Sequence, residues 1–177
     1  MQAFSLAISP GKSVWEHYDE KPEDGKRFAR SMKSLQQRPG YGVLPLVENY
    51  PWGSLRSGAR VVDVGGGQGH ASIAISKQFP TLSLTVQDLP DVVKTVKERT
   101  DIPKQVEFME HDFFTEQPLS ADLYLFRWVL HDWPDKYVVR IIRNLIPVLR
   151  SGAKVVINDS IMPKLGSIPL LMERRVR

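Results

Sequence analysis

The sequence predicts an α/β fold built on a doubly wound, mostly parallel sheet. Three observations carry this. Beyond about residue 59, short apolar runs alternate with helical stretches. A glycine-rich turn, Gly65-Gly66-Gly67-Gln68-Gly69, joins the first such run to a helical stretch. Polar and charged residues gather at the carboxyl ends of the runs, where open α/β sheets bind their ligands.

Composition bounds the rest. The chain has 177 residues, room for one domain and not two full ones. A hydrophobic fraction of 42% and a charged fraction of 25% exclude wholesale disorder. The absence of Cys excludes a disulfide framework, a thiolate zinc site and a cysteine nucleophile. A net charge of +4 is mild, and no basic aromatic stripe argues for nucleic acid. No apolar run approaches the roughly 20 residues of a membrane span. Residues 1–10 lack a basic n-region and run into Pro10-Gly11, so no signal peptide is expected. A cytoplasmic location follows as the expectation.

Each element has its own warrant. Residues 13–20 form a short helix with Val14, Trp15 and Tyr18 apolar. A second helix, 24–37, follows Pro22 and has acidic residues in its first turn, which suits the helix dipole. Phe28, Met32 and Leu35 make its apolar stripe, and Pro39-Gly40 ends it. Residues 43–50 make a poorer helix, since Pro45 is tolerable only in the first turn. Strands are expected at 60–64, 83–87, 106–109, 123–126 and 154–158. The fourth is wholly apolar and therefore central. Helices are expected at 70–79, 90–99 and 132–149, the last capped by Asp132 or a neighbour and strained by Pro147. Residues 162–177 read as irregular.

The glycines let the backbone approach a ligand closely. Asp63, just ahead of them, would repel a pyrophosphate and favour an ammonium or sulfonium. Its alternative role is a structural hydrogen bond to the loop amides. The loop spacing also differs from G-x-G-x-x-G. Asp88, about 20 residues beyond the glycines, has the position of a ribose-diol acceptor, or else caps the next helix. Asp112 with Phe113 suits an adenine amino group and ring, or else forms an acidic surface turn. Phe126-Arg127-Trp128-Val129-Leu130-His131-Asp132-Trp133-Pro134 puts a base at a strand's carboxyl end, where chemistry happens in this fold.

Four segments together resemble a known family. They are Val61-Val62-Asp63-Val64-Gly65-Gly66-Gly67-Gln68-Gly69-His70, Gln87-Asp88-Leu89-Pro90, His111-Asp112-Phe113-Phe114 and Val129-Leu130-His131-Asp132-Trp133-Pro134-Asp135. They are similar to the motifs of S-adenosylmethionine-dependent O-methyltransferases of the plant caffeate type and fungal polyketide type. The resemblance implies a Rossmann-like class I methyltransferase fold and S-adenosyl-L-methionine as cofactor. It implies that Gly65, Gly66 and Gly67 hold the methionine end, Asp88 the ribose, and Asp112 and Phe113 the adenine. Arg127 would lie near the cofactor, and Trp133 would pack on the adenine side. His131 would be the general base and Asp159 the carboxylate that orients it, one methylene shorter than the Glu common in the family. The implied acceptor is a phenolic hydroxyl of a small aromatic metabolite.

The resemblance also divides the chain. Residues 1–55 correspond to a helical remnant of the dimerisation and substrate-lid region. Residues 56–177 correspond to the catalytic domain, ending after its fifth strand. The resemblance implies a homodimeric family, whose dimerisation domain is expected to be largely missing from this chain. An exposed apolar edge at the fifth strand and an incomplete acceptor pocket are therefore expected. One alternative is an inactive remnant that still binds cofactor. Another is an NAD-dependent oxidoreductase, against which Asp63 and the loop spacing argue.

Overall fold

The computed structural model describes residues 11–12, 14–35, 42–96, 98–161, 164 and 166–167. Among them no helix is long and apolar enough to cross a membrane. Backbone contacts divide the chain into two units, Met1–Pro45 and Leu46–Arg177.

The first unit holds helices α1 (Val14–Glu20) and α2 (Pro22–Leu35). Helix α2 opens on Pro22 itself, whose missing N–H is harmless in the first turn. Tyr18 stacks on Phe28, with ring centroids 5.2 Å apart. Buried His17 meets Asp24 through Nε2 at 3.2 Å. The expected stop at Pro39-Gly40 and the side chains of Trp15 and Leu35 lie outside the described residues.

A short helix, α3 (Leu44–Asn49), spans the division. The second unit is the sheet and its helices. Its strands are β1 (Arg60–Val64), β2 (Ser83–Asp88), β3 (Val106–Glu110), β4 (Leu123–Arg127) and β5 (Lys154–Asn158). They lie in the order β3-β2-β1-β4-β5 and all pairings are parallel. Helices α4 (His70–Gln78), α5 (Pro90–Lys94) and α6 (Asp135–Arg143) connect them. The strand order reverses between β1 and β4, which makes the switch-point crevice of this architecture.

The core follows the expected pattern. Val61, Val62, Leu84, Leu123, Tyr124, Leu125 and Phe126 are fully buried. Central strands buried on both faces need such continuous apolar runs. Buried Tyr124 satisfies its hydroxyl by donating to the Leu119 carbonyl at 2.8 Å and accepting from the Ala121 amide at 3.0 Å.

In the second unit two helices differ from expectation by several residues. Helix α6 covers only Asp135–Arg143, not 132–149, and its N-cap is Pro134, not Asp132. A residue preceding proline is driven out of the α region, and Trp133 is extended (φ −121°, ψ 135°). At the other end, Pro147 has no N–H for the next helical bond, and Ile146–Val148 closes instead as a 3₁₀ turn. Helix α5 stops at Lys94, not 99, and there the Thr95 hydroxyl caps the Val92 carbonyl at 2.7 Å.

Strand β5 is the edge strand of the described sheet, and it exposes Val155 (38%) and Ile157 (56%). The expected irregular stretch, 162–177, lies almost wholly outside the described residues.

Candidate active site

The carboxyl ends of β1 and β2 hold the glycine loop between them. Gly65 and Gly66 both donate their amides to the Gln87 carbonyl, at 2.8 and 3.1 Å. The Gly67 amide donates to Asp88 Oδ2 at 2.8 Å, and the Leu89 amide to Asp88 Oδ1 at 2.8 Å. Asp88 is therefore the carboxylate that ties down the loop, and it does not cap α5, whose N-cap is Leu89. Gly65 and Gly67 adopt left-handed φ of 68° and 59°. A Cβ on Gly66 would stand 2.7 Å from Asp63 Cγ and 2.8 Å from Val86 Cγ1, so the backbone packs directly on the carboxylate. A Cβ on Gly67 would meet nothing within 4 Å, so the loop is open on that side.

Asp63 is buried beneath this loop at 1% exposure. Burial pushes its carboxyl up to about 6, while the Ser72 hydroxyl and the Arg127 charge oppose the rise. Its Oδ2 accepts from Ser72 Oγ at 2.8 Å, so its structural bond goes to α4 and not to the loop amides. Burial also raises Asp88, against the pull of the Leu89 and Gly67 amides. It lowers Arg127, and the nearby Asp63 charge opposes that.

Asp112 follows β3, and its Oδ1 accepts the Phe114 amide at 2.9 Å. Phe113 meets Trp133 edge-on, with centroids 5.9 Å apart, and Phe114 meets Trp133 at 4.6 Å. A Cβ on Gly65 would stand 3.5 Å from Phe113 Cε1. The aromatic cluster thus borders the glycine loop.

Beyond β4 the chain turns sharply. Trp128 takes a left-handed φ of 55°, and the Arg127 guanidinium sits 4.1 Å over its ring. The Trp128 amide donates to the Asn158 carbonyl at 3.1 Å. The 3₁₀ turn Leu130–Asp132 follows, anchored by buried Leu130, and presents His131 half-exposed. His131 Nδ1 donates to Asp159 Oδ1 at 2.7 Å, a bond that joins the ends of β4 and β5. Asp132 Oδ1 stands 3.5 Å from His131 Nε2. Burial raises the Asp132 carboxyl, which His131 opposes and Asp159 reinforces.

The expected site residues therefore fall into two groups. Asp63, the glycines, Asp88, Asp112, Phe113, Arg127 and Trp133 ring the switch point. His131 and Asp159 form a separate pair over β4 and β5. Sequence reasoning missed Ser72, for which no signal existed. It also missed Asp132 as a neighbour of Nε2, although its adjacency to His131 was a signal.

Residues 3–174 match the family of the O-methyltransferase domain. The chain is 51% identical over 180 residues to the grayanic acid biosynthesis cluster O-methyltransferase of Cladonia grayi, covering 99% of this chain and 40% of that protein. It is 42% identical over 176 residues to the O-methyltransferase gsfB of Penicillium aethiopicum, covering 98% and 41%. The chain thus spans about two-fifths of the length of these relatives. Among solved structures, the O-methyltransferase NcsB1 from neocarzinostatin biosynthesis superposes with a TM-score of 0.71 at 28% identity, over 85% of this chain and 45% of that one. That structure holds S-adenosyl-L-homocysteine and 1,4-dihydroxy-2-naphthoic acid. The parallel sheet and the match over nearly the whole sequence agree: this chain belongs to the O-methyltransferase domain family.

Proposed function

We propose that the protein transfers a methyl group from S-adenosyl-L-methionine to a phenolic hydroxyl of a small aromatic acceptor, with His131 as general base. The observation that carries this reading is the 2.7 Å bond between His131 Nδ1 and Asp159, set at the carboxyl end of the sheet.

The donor set fits the cofactor. Asp63 lies buried beneath the glycine loop, with Asp88 and Asp112 at or just beyond the ends of β2 and β3, so the loop's surroundings carry negative charge that disfavours a pyrophosphate. A cationic ligand with a ribose diol and an adenine suits them. Asp88 has two oxygens, each with lone pairs beyond those given to Gly67 and Leu89, to accept ribose hydroxyls. Asp112 and Phe113 would hold the adenine, with Trp133 behind. Gly65, Gly66 and Gly67 would let the methionine end lie against the backbone, with Asp63 and Arg127 beneath. When bound, the cofactor supplies an activated methyl group on a sulfonium.

The chain's own part is alignment and proton removal. Asp159 fixes the His131 tautomer with Nδ1 protonated, which leaves Nε2 as the basic nitrogen. Nε2 then takes the proton from a phenol whose ordinary pKa is about 10, and Asp159 supports the imidazolium that forms. Asp132, close to Nε2, adds a second negative charge to that stabilisation.

Residues 1–55 are read as a linker and lid segment and residues 56–177 as the catalytic domain. The family's homodimeric state and a cytoplasmic location belong to the same proposal.

The test is a methyl-transfer assay on phenolic acceptors with His131→Ala and Asp159→Asn. Loss of about 100-fold or more in turnover for His131→Ala, with cofactor affinity retained, supports the reading. Cofactor binding with no turnover dependent on His131 would instead identify a binding protein that has lost its chemistry.

A further inference from the structure

Behind the aromatic wall lies a buried circuit of amides. Gln87 Nε2 donates to Gln117 Oε1, and Gln117 Nε2 donates to Gln87 Oε1, both at 2.8 Å. The two residues are 1% and 4% exposed. Gln87 is the last buried position of β2, and its main-chain carbonyl holds the Gly65 and Gly66 amides. Gln117 lies in the connection between β3 and β4. Its side-chain oxygen also accepts the Leu119 amide at 3.1 Å, and its main-chain N–H donates to the Asn144 carbonyl at 3.0 Å. Asn144 Nδ2 in turn donates to the Phe113 carbonyl at 3.0 Å. One unbroken path of hydrogen bonds and backbone therefore runs from the glycine loop to Phe113.

Stability alone does not require this pair. Two buried amides that satisfy each other contribute little net free energy, and apolar residues of the same shape serve a core about as well. The pair supplies direction instead. The connection between β3 and β4 has no helix or strand to place it, so side-chain bonds share that task with isolated backbone bonds and the packing of Phe113, Phe114 and Leu119 on the core. Apolar contacts tolerate sliding; a reciprocal amide pair does not.

We infer that Gln87 and Gln117 are positioning residues that fix the Phe113 wall against the glycine loop, and so set affinity for the adenine end of the cofactor. The inference rests on the proposed function above. It predicts that shape can be restored without restoring affinity.

The experiment compares the unchanged full chain with Gln117→Met, Gln87→Met/Gln117→Met and Gln117→Asn. Calorimetry with S-adenosylhomocysteine gives affinity, and urea unfolding gives stability. The single Met variant leaves the Gln87 amide only the weak Met109 Sδ acceptor at 3.6 Å and takes the acceptor of the Leu119 amide, so stability and affinity should both fall. The double Met variant leaves no unmatched Gln amide, though the Leu119 amide still lacks its acceptor, so it should recover part of the lost stability but bind about tenfold more weakly than the unchanged chain. Recovery of affinity together with stability overturns the inference. Gln117→Asn keeps the amide but shortens its reach, so it should also bind more weakly. Should the double variant not fold, undiminished affinity in Gln117→Asn overturns the inference. No binding by the unchanged chain overturns the proposed function, and this inference with it; normal binding in every variant overturns the inference alone.

Discussion

At the scale of single residues, Asp63 joins the stability of the fold to the proposed cofactor site. A buried carboxylate is costly unless it is bonded or paired, and this one has the Ser72 hydroxyl and the Arg127 charge. Its carboxyl titrates at about 6 in the fold against an ordinary 3.8. The native state therefore holds the proton to higher pH than the unfolded chain does. The stability it contributes is full below pH 3.8 and is lost as pH rises through about 6. The loss amounts to about 3 kcal/mol. Asp63→Asn removes this titration, so urea midpoints measured between pH 4 and pH 7 should decline less steeply in the variant; parallel declines would show that Asp63 is not the group responsible. Gly66 is bound to the same carboxylate by contact. Gly66→Ala puts a methyl 2.7 Å from Asp63 Cγ, and chemical denaturation should show a loss of about 1–3 kcal/mol. An unchanged midpoint would mean the loop moves freely.

At the scale of elements, the strands were readable because buried parallel strands leave runs of apolar residues. The site was readable because its polar residues interrupt those runs at their ends. The helix boundaries were not. Apolar spacing at Val138, Ile142, Leu145 and Leu149 continues through Pro147, but the backbone cannot follow it. Asp132 precedes a helical pattern, as a cap would, but Pro134 caps that helix, which leaves Asp132 beside His131. The Gln87–Gln117 pair was invisible because its partners lie far apart along the chain, although a Gln in an apolar strand is a signal in hindsight. Strand β5 carries a prediction of its own. Its exposed Val155 and Ile157 form an apolar patch at a sheet edge, the arrangement that promotes self-association. Val155→Thr with Ile157→Thr should reduce light scattering of the concentrated chain, at a stability cost below about 1 kcal/mol. Scattering that does not change would place the association elsewhere.

At the scale of the whole molecule, one sheet gathers residues from every part of its sequence at the ends of its strands. Topology places β1, β2 and β3 side by side with a carboxylate at or just beyond each end. It places β4 and β5 together with a histidine and its aspartate. On the proposed reading the first group would favour a cation carrying a ribose and an adenine, and the second would supply a base. The choice of ligand thus turns on the buried charge of Asp63 beneath the loop, and it can be tested without knowing the acceptor. The most direct measurement is a calorimetric titration of the full chain with S-adenosyl-L-methionine and, separately, with NAD. The expectation is one-to-one binding of S-adenosyl-L-methionine, weakened by Asp88→Ala, and no binding of NAD. Binding of NAD without binding of S-adenosyl-L-methionine would contradict it.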